Sequence, residues 1–319
     1  MSRRLLVLAW HNIAPTWGFP ESGDAYGEAF ARQLTLLRRY ATVVPLTPAL
    51  DALRAGRRLP PRPVALTFDD GYRDQLDLAA PILRGFGMTA TFFLVTGFLA
   101  QRSRIWWEEV GWAFGAATAT TLTWPPSGGT GYDLTRPADR EAARTAVTES
   151  LKDIPAAARL AAAGELADRL APRGTRPGPE LFCDWEGARA LRDAGHGIGS
   201  HTATHPILSR ETPAAQHEEL AASRRELERE LAVPADVLAY PNGRTCDYNR
   251  ATLEGVRRAG YRYALTTRTG PVSGLGAGFE LRRCVLQPRT RVRDVMRELR
   301  WLASGTVRSA LAAPSRGAR

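Results

Sequence analysis

Short apolar runs rich in strand-forming residues alternate with helix-patterned segments along most of this 319-residue chain. That alternation restricts it to an α/β architecture built on a largely parallel sheet. Strands are expected near 4–10, 41–45, 63–68, 90–96, 196–201, 236–240 and 262–266, and helices near 25–39, 74–86, 186–194, 213–231 and 249–259. Two helices carry glycine stops, Arg192-Asp193-Ala194-Gly195 and Arg258-Ala259-Gly260. Chemically suggestive residues recur just past the strands: His11, Asp69-Asp70, His201 and Asn242. Barrels and open α/β sheets both gather function at the carboxyl ends of parallel strands.

The alternation breaks between about 101 and 182, where Trp106-Trp107, a Pro/Gly-rich stretch and an Ala-rich helical region (137–170) succeed one another. This segment is expected to be an insertion on the rim of a single unit covering 1–288. Residues 289–319 are expected to form a basic helix and tail, with eight Arg against Asp294 and Glu298. Val292, Val295, Met296, Leu299 and Leu302 recur there at helical spacing. The expected role of that stripe is packing on the main unit; peripheral contact with an anionic membrane is the less favoured reading.

The net charge is +10, but Lys152 is the only lysine. An arginine bias accompanied by abundant Ala, Gly and Pro reflects coding composition, and no groove-reading motif accompanies the charge, so nucleic acid is not expected as a partner. Cys183, Cys246 and Cys284 are odd in number and widely spaced, which excludes a disulfide framework and suits free thiols. The run Leu5–Trp10 is too short for a signal-peptide core, and a cytoplasmic location is expected.

The chemistry centres on two patterns. Pro63-Val64-Ala65-Leu66-Thr67-Phe68 leads into Asp69-Asp70-Gly71-Tyr72, and Gly199-Ser200 leads into His201-Thr202-Ala203-Thr204-His205-Pro206. Two imidazoles four residues apart share a face if the turn after His201 is helical, and a carboxylate from another strand end completes a three-ligand metal site. The adjacent carboxylate can then take a proton from an activated water, the minimal equipment for metal-assisted hydrolysis.

Thr67-Phe68-Asp69-Asp70-Gly71 with a downstream His201-Thr202-x-x-His205-Pro206 resembles the polysaccharide deacetylase family, which shares the NodB-homology domain. Ala239-Tyr240-Pro241-Asn242-Gly243 resembles that family's third motif. The resemblance runs from about residue 5 to 270 and implies a distorted (β/α) barrel of about seven parallel strands. It implies one divalent metal, zinc first and cobalt, nickel or iron as alternatives, held by Asp70, His201 and His205. Asp69 would be the general base. The backbone N–H near Asn242 would hold the oxyanion, with Tyr72 also at the substrate.

Three departures from the family pattern stand out. The late Leu-x-His motif that often supplies the acid is absent, since His217 is the last histidine. Leu8-Ala9-Trp10-His11-Asn12-Ile13 resembles instead the N-terminal element of the branch that includes poly-N-acetylglucosamine deacetylases, which makes His11 the expected general acid. The arginine that commonly pairs with the base is replaced by Ala239, leaving Asp69 with another partner or a different pKa. Arg73-Asp74-Gln75 stands where sugar-processing relatives often place an Asn.

Trp106, Trp107 and Trp185 are candidate sugar-stacking walls, with core packing at least equally expected. His196 is expected to be structural and His217 solvent-exposed. The resulting expectation is a metal-dependent hydrolase that removes an N-acetyl group from a small amino sugar, oligosaccharide, glycoconjugate precursor or N-acetylated metabolite. Alternatives are a hydrolase of another linear or cyclic C–N bond, and a catalytically silent carbohydrate-binding barrel.

Overall fold

The computed structural model describes residues 1–20, 26–101, 104–125, 129 and 131–303. Its main sheet contains β1 (Leu6–Trp10), β2 (Thr42–Val43), β3 (Pro63–Phe68), β4 (Thr91–Leu94), β7 (Gly197–Ser200), β8 (Val237–Ala239), β9 (Tyr263–Leu265) and β10 (Cys284–Val285). The order is β10-β1-β3-β4-β7-β8-β9, with β2 on the flank of β3 and every pairing parallel. These seven ordered strands curve into a distorted (β/α) barrel, as the family pattern implies. The seam between β9 and β10 is crossed by the chain at 278–283: Ala264 N–H donates to Gly278 O, Thr266 N–H to Leu281 O and Arg283 N–H to Arg268 O.

Both faces of these strands are apolar because both are covered. Leu5, Val7, Ala65, Phe93, Val237, Ala239 and Leu265 share an interior cluster. The alternate residues Leu6, Leu8, Trp10, Val64, Leu66, Phe68, Phe92 and Leu94 meet the outer helices. Those helices include α1 (Tyr26–Tyr40), α2 (Leu46–Arg54), α3 (Ala80–Gly85), α8 (Trp185–Asp193), α9 (Pro213–Leu231) and α10 (Arg250–Ala259). Leu34, Leu37, Leu83, Leu191 and Leu227 fill that outer layer. The period of two along each strand therefore decides which residues reach the barrel mouth.

After β4, the short helix α4 (Thr96–Leu99) leads into the segment that interrupts the alternation. It folds as α5 (Trp106–Gly115), a two-stranded β5–β6 hairpin (Thr121–Thr123, Gly131–Asp133), α6 (Pro137–Lys152) and α7 (Ala156–Leu170). It has its own core, in which Phe114, Trp124, Val147, Leu151 and Leu166 are buried. The last described helix, α11 (Val292–Ala303), buries Val295 and Leu299 against the barrel layer. The expected tail from Pro314 lies outside the described residues, as does the side chain of Leu302. Among the described residues no helix is long and apolar enough to cross a membrane.

Candidate metal centre and active site

Strand register brings the motif residues together. Trp10 pairs with Phe68 and Leu94 with Ser200, so the residues just past these strands, His11, Asp69 and His201, emerge on one rim. Asp69 N–H donates to Trp10 O and His201 N–H to Leu94 O, both at 2.9 Å, which extends the sheet by one residue at each site. Asp70 and Gly71 then take positive φ, 74° and 81°, and the chain turns sharply enough to present adjacent carboxylates to different surroundings.

Asp70, His201 and His205 form a buried group whose candidate ligand atoms all lie within 4.8 Å of one another. His201 Nε2 and His205 Nε2 are each 3.3 Å from Asp70 Oδ1. Among the described residues that oxygen nevertheless carries no hydrogen bond of good geometry. Three lone pairs converging in a buried space are what a divalent cation satisfies and what a hydrogen-bonded cluster would avoid. His201 Nδ1 lies 2.7 Å from Ala239 O, an outer contact that sets its tautomer and aims Nε2 inward. Burial pushes the Asp70 carboxyl up, but the imidazoles of His201, His205 and His11 together outweigh it and hold the group well below the usual range. Burial lowers the His205 pKa, which favours the neutral ligand form.

The two histidines meet by a route other than the expected helical turn. Residues 201–205 form a loop in which Thr202 and His205 have φ of 69° and 60°. Thr202 N–H donates to Ser200 Oγ, and His205 N–H to Thr202 Oγ1, each at 3.1 Å. Glu219 on α9 accepts from Ala203 N–H (3.0 Å), Thr204 N–H (2.8 Å) and Thr204 Oγ1 (2.7 Å). These side-chain acceptors satisfy donors that a helix would have paired internally.

Asp69 continues the interior parity of Ala65 and Thr67, and there it meets Arg283. The pair is bidentate, Nη1 to Oδ1 at 2.7 Å and Nη2 to Oδ2 at 2.8 Å, with Arg283 fully buried. Arg283 Nε also donates to Thr266 O, and the guanidinium lies over Phe93. Burial raises the Asp69 pKa, but the charge and hydrogen bonds of Arg283, with the nearby His201 and His11 rings, together outweigh it and leave the group below the usual carboxylate value. Asp69 thus has a partner from beyond the third motif, while Ala239 orients His201 through its carbonyl. One arginine among many, without a motif around it, gave no sequence signal for this role.

His11 lines a cavity of about 390 Å³ together with Asp70, His205 and Asn242. Among the described residues its Nδ1 has no hydrogen-bond partner. Its backbone is held from the turn after Tyr72, because Gln75 Nε2 donates to His11 O at 2.6 Å and also to Asp69 O. Asp74 accepts from Ile13 N–H and from Ala14 N–H. The departure at 73–75 therefore serves a visible purpose: a widened π turn at Gln75–Ala79 opens beside two side chains that fasten the His11 strand end to the Asp69 strand end. Burial raises the Asp74 pKa to about 6 despite those N–H donors.

Asn242 has φ of 56°, and among the described residues its backbone N–H meets no acceptor. Tyr72 does not reach the cavity. It is 1% exposed, its ring stacks on Phe182, its hydroxyl donates to Glu108 Oε1 (2.7 Å), and it accepts from Trp107 Nε1 (2.7 Å). The expected contact with substrate is therefore replaced by a buried link to α5. A chain that turns inward at Gly71 and pairs Tyr72 with Phe182 points the phenol away from the mouth.

Glu108 is the centre of that link. Besides Tyr72 it accepts from Thr16 Oγ1 (2.7 Å) and Gly18 N–H (2.8 Å), so the 16–19 loop is bound to the insertion. The fit is tight: a Cβ on Gly111 would lie 2.0 Å from Trp17 O, so only glycine lets the loop rest on α5. Trp107 then stands against His205 at 4.7 Å between ring centroids, and Phe19 against His11 at 5.9 Å. Trp106 also lines the cavity, with the Arg159 guanidinium over its ring. Trp185 is only partly buried, at the start of α8, packed on the outer core.

His196 is structural, accepting from Ala90 N–H at 3.3 Å. His217 is half-buried on the α10 side of α9 rather than exposed, because Gly255 on α10 opens space there. The three cysteines are free.

A barrel with a buried Asp-His-His group at the carboxyl ends of its strands is the class of protein defined so far. The family model for polysaccharide deacetylases matches residues 56–264, and the chain belongs to that family. The matched stretch holds Asp69, Asp70, His201, His205 and Asn242 but neither His11 nor Arg283. YxkH of Bacillus subtilis (strain 168), whose name places it in the same family, is 22% identical over 249 residues, 78% of this chain. The chain covers 60% of that relative's length. Among solved structures, Streptococcus pyogenes deacetylase PplD in complex with acetate superposes with a TM-score of 0.61 at 18% identity, over 93% of this chain and 98% of PplD. IcaB from Ammonifex degensii gives 0.58 at 19% identity, over 94% and 97%. These likenesses share the fold along nearly the whole described chain.

Proposed function

We propose that this chain is a metal-dependent N-deacetylase acting on a small N-acetylated amino sugar, oligosaccharide or related metabolite. The observation that carries the reading is the pairing of two unlike carboxylates. Asp70 converges with two histidines and, among the described residues, carries no hydrogen bond of good geometry at Oδ1, while its neighbour Asp69 is fully engaged by Arg283. A divalent ion held by Asp70, His201 and His205, with zinc the first candidate, would supply Lewis acidity at the acyl carbonyl and lower the pKa of the attacking water. Asp69, kept ionised by Arg283, takes the proton of that water. The Asn242 N–H faces the developing oxyanion. His11, across the cavity, gives a proton to the departing amine. The aromatic wall of Trp107 and Phe19 suits the apolar face of a pyranose ring.

The test is acetate release by zinc-loaded and chelator-stripped protein from N-acetyl amino sugars, chitooligosaccharides and nucleotide sugars. Acetate that depends on metal supports the reading. One equivalent of bound metal without acetate from any of these substrates would redirect it to another C–N bond. Failure to bind metal would favour a carbohydrate-binding barrel.

A further inference from the structure

The cavity beside the metal group has two unlike walls. One is aromatic, formed by Phe19, Trp106 and Trp107. The other brings in Thr148 and Lys152 from α6 and Arg244 from the loop after β8. Among the described residues, the ionisable side chains that line it apart from the histidines are Asp70, already committed to the metal group, and the two cations Lys152 and Arg244.

The carboxylates that balance those cations stand outside the lining. Asp247, with a side chain 3% exposed, accepts from Arg244 N–H (2.8 Å), Nε (3.1 Å) and Nη2 (3.3 Å) and so fixes the guanidinium from behind. Glu149 offers one oxygen to Lys152 Nζ at 2.6 Å and the other to Arg244 Nη1 at 3.6 Å. An exposed carboxylate thus already sits between the two cations in the manner of a bidentate anion. Lys152 itself is 22% exposed, so its ammonium is partly desolvated and gains from any anion that joins it.

We propose that Lys152 and Arg244 form an anion-recognising subsite, so that the preferred substrate carries a phosphate or carboxylate on the same small molecule as its N-acyl group. This rests on the deacetylase reading for the acyl group, but the subsite is defined by binding alone. The sugar ring would lie along the tryptophans, its acyl group at the metal centre and its anionic substituent against the cationic wall. Glu149 holds the place of that substituent until it arrives.

The decisive experiment is calorimetric titration of the zinc-loaded full chain with N-acetylglucosamine, its 1-phosphate and 6-phosphate, and N-acetylmuramic acid. At least one anionic ligand should bind about tenfold or more tightly than the neutral sugar, as expected for one or two charge-assisted hydrogen bonds. The ligand that shows the preference distinguishes phosphate from carboxylate. The preference should vanish in Lys152→Ala/Arg244→Ala and grow in Glu149→Gln, where the competing internal anion is removed. A Lys152 that merely supports the end of α6 would give no gain in Glu149→Gln.

Equal affinity for neutral and anionic ligands overturns the proposal, as does a preference that survives the double substitution, since the metal centre alone would then hold the anion. Acetate assays on the same samples separate the two readings. Preferential binding without acetate from any ligand would leave the subsite standing and remove the deacetylase. Equal affinity for neutral and anionic ligands, with acetate released from both, would do the reverse.

Discussion

The two sides of the cavity are assembled by opposite means. The metal corner draws on residues that lie next to one another in two short motifs at strand ends; strand register brings Asp69 and His201 onto one rim, and the loop after His201 adds His205. The aromatic wall draws on Thr16, Gly18, Tyr72 and Glu108, which come from three separate regions and meet around one buried carboxylate. A site built on register tolerates changes in the segments around it. A site built on one buried acceptor depends on that acceptor.

The largest effect should come from the metal corner itself. Asp69→Asn should retain one equivalent of metal, measured by elemental analysis, while kcat falls about 10²–10⁴-fold, the usual contribution of a positioned base. Loss of metal instead would exchange the roles of Asp69 and Asp70. Next is Arg283→Leu, which leaves a buried carboxylate without its partner and should cost about 3–5 kcal/mol in denaturant unfolding. A cost under about 1 kcal/mol would mean that water replaces the guanidinium and that this corner is less dry than its burial implies.

On the opposite wall, Glu108→Ala orphans three donors and should cost about 3 kcal/mol. Its distinguishing signature is kinetic: KM should rise more than kcat falls, with metal content unchanged, because Trp107 and Phe19 lose their anchorage. A variant that lost metal as well would show that the walls are not independent. The smallest effect concerns the clip between them. Asp74 has a folded-state pKa of about 6, above its ordinary value of 3.8, so the native state holds this proton over a range in which the unfolded chain has released it. Its contribution to stability is therefore fully present below about pH 4 and is lost as pH rises through about 6. Allowing for screening of a half-buried group, the loss should be about 2 kcal/mol. Asp74→Asn should flatten that part of the pH–stability curve; an unchanged slope would assign it to another group.

The same contrast explains what could be read in advance. The longer strands, the outer helices other than α2 and the residues of the two motifs were legible because burial on both faces of a parallel sheet writes continuous apolar runs, and because the candidate ligands come directly after those runs. The short β10 was not, since two residues carry no periodicity, and with it went Arg283. The pairing of His201 with His205 was anticipated through a helical turn, whereas the chain achieves it through two left-handed residues and the acceptors Ser200, Thr202 and Glu219. Tyr72 stands beside the motif in sequence, and adjacency suggested a place at the substrate. Its actual direction depends on Phe182 and Glu108, both distant in sequence.

The sequence by itself therefore determined a parallel α/β chain, its strand ends and the residues of the Asp-His-His group, because local patterning fixes which elements form and which residues stand at their ends; the distorted barrel was implied by the family resemblance. Only the tertiary structure decided the partner of Asp69, the fastening of His11 by Asp74 and Gln75, and the two unlike walls around them. Those depend on which distant side chain fills a buried space or satisfies a buried charge, and such long-range pairing leaves no periodic trace in the chain.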